Sequence, residues 1–210
     1  PSNLHYAGDT LLHAEKSACG EAVLELIELL TGSVTEQEAN LLYIAVTTDT
    51  GCFQYANTNA ATLRAAARLL ELGADNRRVS MEFFRKISRA RMALVGHIYS
   101  GMRFFRGGQI AIAVVTRALI DALQATEDDC DDIAGLPGRA DGVVVSVTIR
   151  ELTDGRSKIS VRTPPEVDSC AICAVYGGGG HKMASGCTLT CDPETAVEKI
   201  LAAIDQVWPA

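Results

Sequence analysis

Apolar side chains recur with a helical period over several stretches of this chain. In residues 14–30 they fall at every third or fourth position, which predicts an amphipathic helix that ends at Thr31-Gly32. Thr35 followed by Glu38 is a capping-box pattern, and it predicts that a second helix begins here and runs to about Val46. Thr58 is the predicted cap of the next helix. Further helices are predicted over residues 60–72, 116–125, 166–175 and 193–207.

The second half of the chain also carries segments with the β-branched and apolar content of strands. Residues 142–149 and 157–163 flank Asp154-Gly155, a pair typical of a hairpin turn. Residues 109–115 and 187–191 are the other predicted strands. Helices alternating with strands predict an α/β fold.

Composition limits the classes of protein that this chain can belong to. A length of 210 residues suits one large or two small domains, and 48% hydrophobic residues suffice for a core. No 18-residue apolar run and no signal-peptide pattern is visible. Seven cysteines without framework spacing favour a reducing compartment, so the predicted location is the cytoplasm, with no membrane partner.

Charge is distributed unevenly. The net charge of −7 argues against a protein that coats nucleic acid. Between Arg77 and Arg106, however, eight basic residues stand against Glu82 alone. This segment favours a short anionic ligand over a long duplex, and a solvated helix face is the alternative. The acidic run at 127–132 is interpreted as a solvated helix start.

A glycine-rich stretch, Tyr176-Gly177-Gly178-Gly179-Gly180-His181, is the main candidate for a binding site. Glycines allow backbone N–H groups to approach a ligand, and consecutive turn amides can form a nest for anions. His181 can add a directed hydrogen bond. Arg162 and Ser160, on the preceding predicted strand, can add a fork matched to phosphate. The stretch therefore predicts a phosphate site, with a plain loop as the alternative.

Two further groups of residues could hold a metal ion. Asp49 offers a carboxylate suited to manganese or magnesium, although a lone aspartate here is commonly a helix-terminal or turn residue. Paired spacing allows a zinc site built from four cysteines, but their apolar setting favours packing in the core. These cysteines are Cys170, Cys173, Cys187 and Cys191.

The segment from Lys158-Ile159-Ser160-Val161-Arg162-Thr163 through the glycine stretch to Ala184-Ser185-Gly186 resembles the C-terminal domain of DHH phosphoesterases. A second match, residues 46–53, looks like the family's fourth motif, whose aspartate binds manganese. Together the two are similar to the oligoribonuclease/pAp-phosphatase subgroup over nearly all of the chain. In that family an Asp-His-His motif directly precedes a stretch like Pro1-Ser2-Asn3. The resemblance implies that this chain starts just after that motif, without most of the metal ligands.

The resemblance also implies an organisation and an activity. Residues 1–73 would be the C-terminal part of a DHH domain, 74–97 a helical linker, and 98–210 a mixed-sheet, substrate-binding domain. The implied enzyme hydrolyses short RNA (nanoRNA) or 3′-phosphoadenosine 5′-phosphate (pAp) with two Mn²⁺ ions, or Mg²⁺, and the 210 residues alone would be inactive. A cyclic-dinucleotide phosphodiesterase and a non-catalytic RNA- or nucleotide-binding module are the alternatives, and a homodimer is allowed. Asp49 is the implied catalytic metal ligand, and the implied substrate-binding residues are Ser160, Arg162, Gly178, Gly179, Gly180 and His181.

Overall fold

A computed structural model describes residues 13–209, which divide into two compact units with a boundary between Lys86 and Ile87. The boundary falls inside the segment predicted as a linker, residues 74–97. That segment is not one continuous helix, because the chain is extended at Lys86 before the next helix begins. The Pro1-Ser2-Asn3 stretch lies outside the described residues.

Unit 1, up to Lys86, is helical. Its core is formed by apolar residues such as Leu24, Leu42, Val46 and Leu69. The capping box of Thr35 and Glu38 is confirmed, since each side chain accepts the backbone N–H of the other residue. The helices are α1 (Cys19–Thr31), α2 (Glu36–Asp49), α3 (Ala60–Glu71) and α4 (Asn76–Ser80), followed by a π-helical turn at Met81–Arg85.

The first helix begins later than the apolar period predicts. Glu21 is buried, and its carboxylate accepts hydrogen bonds from the N–H groups of Ser17 (2.9 Å) and Ala18 (3.1 Å). These two amides are satisfied by a side chain, so the helix starts only at Cys19. The cap of α3 was also wrongly predicted. Asn59, not Thr58, accepts the N–H groups of Ala61 and Thr62.

Unit 2, from Ile87, is built on a six-stranded mixed sheet, which confirms the predicted α/β class. The strand order is β1-β2-β3-β4-β6-β5, with β2 and β3 parallel and every other neighbouring pair antiparallel. The elements are α5 (Arg89–Gly101), β1 (Arg103–Phe105), β2 (Ile110–Val115), α6 (Arg117–Ala122), β3 (Val145–Glu151), β4 (Ser157–Arg162), α7 (Ser169–Ala174), β5 (Gly179–His181), β6 (Ala184–Leu189) and α8 (Pro193–Val207).

The two faces of this sheet are covered to different extents. On one face Val147, Ile149, Ile159 and Val161 pack with α7 and α8 in the main core. On the other face α5, α6 and short 3₁₀ turns form a second apolar cluster over β2. Residues that alternate with the main core, such as Ser160, point to this second face. Beyond β3, this second face of the sheet remains accessible to solvent.

The first and last parts of unit 2 contact each other directly. The guanidinium of Arg106 lies 5.1 Å from the ring centroid of Trp208 and donates to its carbonyl oxygen at 2.5 Å. The same guanidinium pairs with Asp205. This cation–π and hydrogen-bond contact fastens the end of α8 beside the start of β2. Within residues 13–209 no helix combines the length and the apolarity that crossing a membrane would need.

Candidate functional site

The structure aligns Arg162 and His181 in one row across the sheet of unit 2. Arg162 on β4 lies opposite Ala184 on β6, and Ala184 lies opposite His181 on β5. Directly opposed residues in antiparallel strands project from the same face. The phosphate-binding candidates from two separate stretches of sequence therefore share one face, as the phosphate-site interpretation requires.

A second row lies beside the first. Ser160 is opposite Gly186, and Gly186 is opposite Gly179. In both rows the residues on β6 and β5 are alanine or glycine, apart from His181 on β5. We call this surface the open face: a floor of Ala184, Gly186 and Gly179, bordered by β4 on one side and by His181 on the other.

The cations on the open face are not neutralised. Lys158 precedes Ser160 and Arg162 at alternate positions of β4, so all three side chains leave the strand on the same side. Among residues 13–209, no carboxylate lies within 4.0 Å of the charged nitrogens of Lys158 or Arg162. An uncompensated pair of cations beside a smooth floor is suited to an anionic ligand.

The nest of free glycine amides is not formed as predicted. The N–H of Gly177 donates to the carbonyl of Ala174 at 3.0 Å, and that of Gly178 donates to Cys173 at 2.9 Å. Both amides therefore close the end of α7 rather than face a ligand. The predicted role of Gly178 as an amide donor to phosphate is wrong. Gly179, Gly180 and His181 form a short edge strand instead of a loop.

Cysteines under the glycine stretch pack in the core, as the favoured interpretation predicts. Cys173 and Cys187 are buried in the main cluster, although Cys191 lies beyond the end of β6 rather than on it. The hydrogen bond from the Cys187 thiol, followed by that from the Ser185 hydroxyl, lowers the pKa of Cys173 to about 7. The same pairing raises the pKa of Cys187. Cys173 and Cys187 therefore lie side by side as a hydrogen-bonded pair within the core.

Asp49 lies at the last position of α2 in unit 1, and its side chain is exposed. It borders a cavity of about 220 Å³ together with His13, Lys16 and Ser17 at the approach to α1. The chain leaves α2 through a strained turn, in which Cys52 and Phe53 both have positive φ angles, 55° and 65°. Such backbone strain is typical of positions that hold a functional side chain in place.

No set of three or more His, Cys, Asp or Glu side chains in the described part of the chain is arranged to hold a metal ion. Asp49 supplies one carboxylate, whereas manganese and magnesium require several oxygen ligands. The described residues therefore do not by themselves form the two-ion centre that the resemblance implies.

The basic segment between Arg77 and Arg106 is partly used inside the fold. Arg91 donates to the backbone carbonyls of Asp128, Asp129 and Asp131, at 3.4, 3.1 and 2.6 Å. Arg103 pairs with Glu194 on α8. These side chains hold unit 2 together, which weakens the interpretation of the segment as a surface for anions.

Sequence reasoning missed several residues beside the open face. A cavity of about 200 Å³ adjoins Ser160 and Arg162, and Lys158, Arg150, Asp131 and Asp132 also line it. The alternation of Lys158 with Ser160 and Arg162 on a predicted strand was a sufficient signal for Lys158.

The acidic run was wrongly interpreted as a helix start. It forms a 3₁₀ turn, Asp128–Cys130, followed by Asp132 with a φ of 56°.

Comparison with known proteins identifies the domain that bears the open face. A model of the DHHA1 domain matches residues 107–208, which contain the six-stranded sheet from β2 onward and α8. Every residue of the open face lies within this match.

Curated relatives extend the similarity into unit 1. The chain is 36% identical over 191 residues to the bifunctional oligoribonuclease and PAP phosphatase NrnA of Thermus thermophilus, covering 90% of this chain and 56% of the relative. It is 31% identical over 173 residues to the protein of the same name from Mycoplasma genitalium, covering 82% and 53%. The chain thus spans little more than half the length of these relatives.

A solved structure agrees with the sequence matches. The exopolyphosphatase-related protein of Bacteroides fragilis superimposes with a TM-score of 0.84 at 25% identity, covering 96% of this chain and 60% of that one. Residues 107–208 thus match the DHHA1 domain, and over both units the chain is similar to curated bifunctional oligoribonuclease and PAP phosphatases of the DHH family.

Proposed function

We propose that this chain is the substrate-binding part of a metal-dependent phosphoesterase that hydrolyses short RNA oligonucleotides or pAp. The observation that carries the proposal is the alignment of Arg162 and His181 in one row of the open face, with Lys158 and Arg162 unneutralised. The names of the relatives, which describe oligoribonucleases and PAP phosphatases, support the same class of substrate.

The dimensions of the open face favour a short ligand with more than one phosphate. Neighbouring strands are about 4.8 Å apart, so the backbones of Arg162 and His181 are separated by roughly 10 Å. One phosphate can lie on the floor between these two side chains. Lys158, four residues along β4, is displaced by roughly 13 Å at about 3.3 Å per residue. It would contact a second anionic group of the same ligand.

Hydrolysis would depend on Asp49 and on metal ions. Mn²⁺ or Mg²⁺ would supply a metal-activated water as nucleophile and charge stabilisation for the leaving oxygen. Because the described residues hold no set of three ligands, the role that we propose for this chain is to bind and orient the substrate. Accordingly, we expect the 210-residue chain to bind nucleotides without hydrolysing them, and the complete gene product to hydrolyse them.

The test is a pair of assays on the complete gene product and on this chain, with Mn²⁺ and with pAp, a short RNA and a cyclic dinucleotide as substrates. Arg162→Gln removes a charged donor, and hydrogen bonds to charged groups contribute about 1.5–3 kcal/mol. We therefore expect the Kd for pAp to rise roughly 10- to 150-fold. The matched control is Arg156→Gln in the β3–β4 turn, where Arg156 pairs with Asp154, and it should leave the Kd unchanged.

Equal affinities of Arg162→Gln and wild type would show that the open face is not the phosphate site. Binding of RNA without hydrolysis by the complete gene product would favour the non-catalytic binding module. Faster hydrolysis of the cyclic dinucleotide than of pAp or RNA would favour the cyclic-dinucleotide phosphodiesterase.

A further inference from the structure

The cavity of about 200 Å³ beside the open face has two walls of opposite charge. Lys158 and Arg162 of β4 form one wall. Asp131 and Asp132, which follow the 3₁₀ turn Asp128–Cys130, form the other. Among residues 13–209, neither aspartate has a cation within 4.0 Å of its carboxylate, and neither carboxylate accepts a hydrogen bond. Opposite charges therefore face each other across a gap without closing it.

The acidic wall is held in place by the fold. Arg91 donates to the backbone carbonyl of Asp131 at 2.6 Å and to that of Asp129 at 3.1 Å. On either side of the two aspartates, the side chains of Cys130 and Ile133 are buried in the apolar cluster that covers β2. The carboxylates thus project from an anchored backbone.

The charges of the two walls restrict the ligand. A carboxylate pair alone would accept an ammonium group, but Lys158 and Arg162 line the same cavity without a carboxylate partner and would repel one. The group that meets the aspartates must therefore donate hydrogen bonds while remaining neutral. The edge of a nucleobase has this property, and the phosphate of the same nucleotide would meet Arg162 on the open face.

We propose that this cavity is a nucleobase subsite that favours guanine, with Asp131 and Asp132 as the residues that determine specificity. The inference rests on the proposed function, because the open face must hold the phosphate. Guanine presents two adjacent neutral donors, N1–H and the N2 amino group, which one carboxylate can accept together. Adenine and cytosine each present a single amino group on the corresponding edge, so they gain one such hydrogen bond instead of two.

The test is calorimetric titration of the 210-residue chain with GMP, AMP, CMP and UMP. A two-point contact discriminates between bases by about tenfold or more, so GMP should bind about ten times more tightly than AMP. The Asp131→Asn/Asp132→Asn double variant should lose this preference, since an asparagine amide offers one acceptor and pairs well with adenine. Asparagine also tolerates the positive φ of Asp132, so the turn is preserved.

Two controls separate this inference from the proposed function. Asp128→Asn neutralises one carboxylate in the adjoining 3₁₀ turn but outside the cavity, and it should bind all four nucleotides as wild type does. Arg162→Gln should weaken all four alike. If the wild type binds the four nucleotides equally and Arg162→Gln weakens each, the base subsite is wrong and the phosphate site stands.

Two other outcomes overturn the inference. If the double variant binds all four nucleotides more tightly by one common factor, the aspartates only repel phosphate. If no nucleotide binds to the wild type, the phosphate site and the base subsite are both wrong.

Discussion

Gly178 and Gly179 are neighbours in sequence with opposite surroundings, and this contrast gives a sharp test of how the glycine stretch is built. A Cβ on Gly178 would lie 2.4 Å from the Cβ of Cys187 and 2.4 Å from the carbonyl oxygen of Gly186. A Cβ on Gly179 would meet nothing within 4 Å. Neither glycine has a positive φ, so alanine is not strained by the backbone angles at either position.

The expected loss of stability in Gly178→Ala follows from these distances. Ordinary contact begins at 3.4 Å, so alanine at position 178 is 1.0 Å too close (3.4 minus 2.4) to backbone atoms of β6, which cannot rotate away. Overpacking of this kind costs about 1–3 kcal/mol. For a chain of this size that lowers the Tm by roughly 2–12 °C. Gly179→Ala should stay within about 0.5 kcal/mol of wild type.

The assay is urea unfolding followed by tryptophan fluorescence. Trp208 is the single tryptophan of the sequence, and it packs against the main core of unit 2, so its signal reports on the unit that contains both glycines. Gly178→Ala should lower the urea midpoint, and Gly179→Ala should not. Equal midpoints for the two variants would refute the close contact between the glycine stretch and β6.

Two further predictions concern carboxylates. In the complete gene product, Asp49→Asn should abolish Mn²⁺-dependent hydrolysis of pAp with little change in Tm, because the side chain is exposed; retained hydrolysis would exclude Asp49 from the metal site. Hydrogen bonds from the hydroxyl of Ser88 and then from Thr126 hold the pKa of Asp129 below its ordinary value of 3.8. The ionised form of Asp129 therefore stabilises the folded state above that value, and the contribution is lost as the pH falls below it. The difference in unfolding free energy between wild type and Asp129→Asn should shrink from about pH 6 to pH 3; a difference independent of pH would contradict this.

Local signals in the sequence predicted the parts of the fold that local physics controls. The capping box of Thr35 and Glu38 needs only residues three positions apart, and it is confirmed. The β-branched segments around Asp154-Gly155 likewise gave the β3–β4 hairpin, because a turn and alternation suffice to define it. Arg162 was identified from its motif, and the register then placed it in line with His181.

The features that were missed depend on partners distant in sequence. Gly179–His181 has no strand propensity, and it becomes β5 only because β6 offers an edge for pairing. The start of α1 depends on the buried carboxylate of Glu21, which a period of apolar residues does not reveal. The acidic wall of the cavity needs Arg91, about 40 residues away, to hold the backbone of Asp131. Tertiary contacts of this kind override a local pattern.

The contact between Arg106 and Trp208 has a consequence for how the domain can be used in evolution and engineering. It brings together residues that are 102 positions apart: Arg106 directly precedes the segment that the DHHA1 model matches, and Trp208 is the last residue of that segment. A domain whose ends meet can be joined to, or inserted into, another protein at one place on its surface, without stretching either connection. The open face lies at the other strands of the sheet, β4, β6 and β5, so such a transplantation would carry the ligand-binding surface along intact.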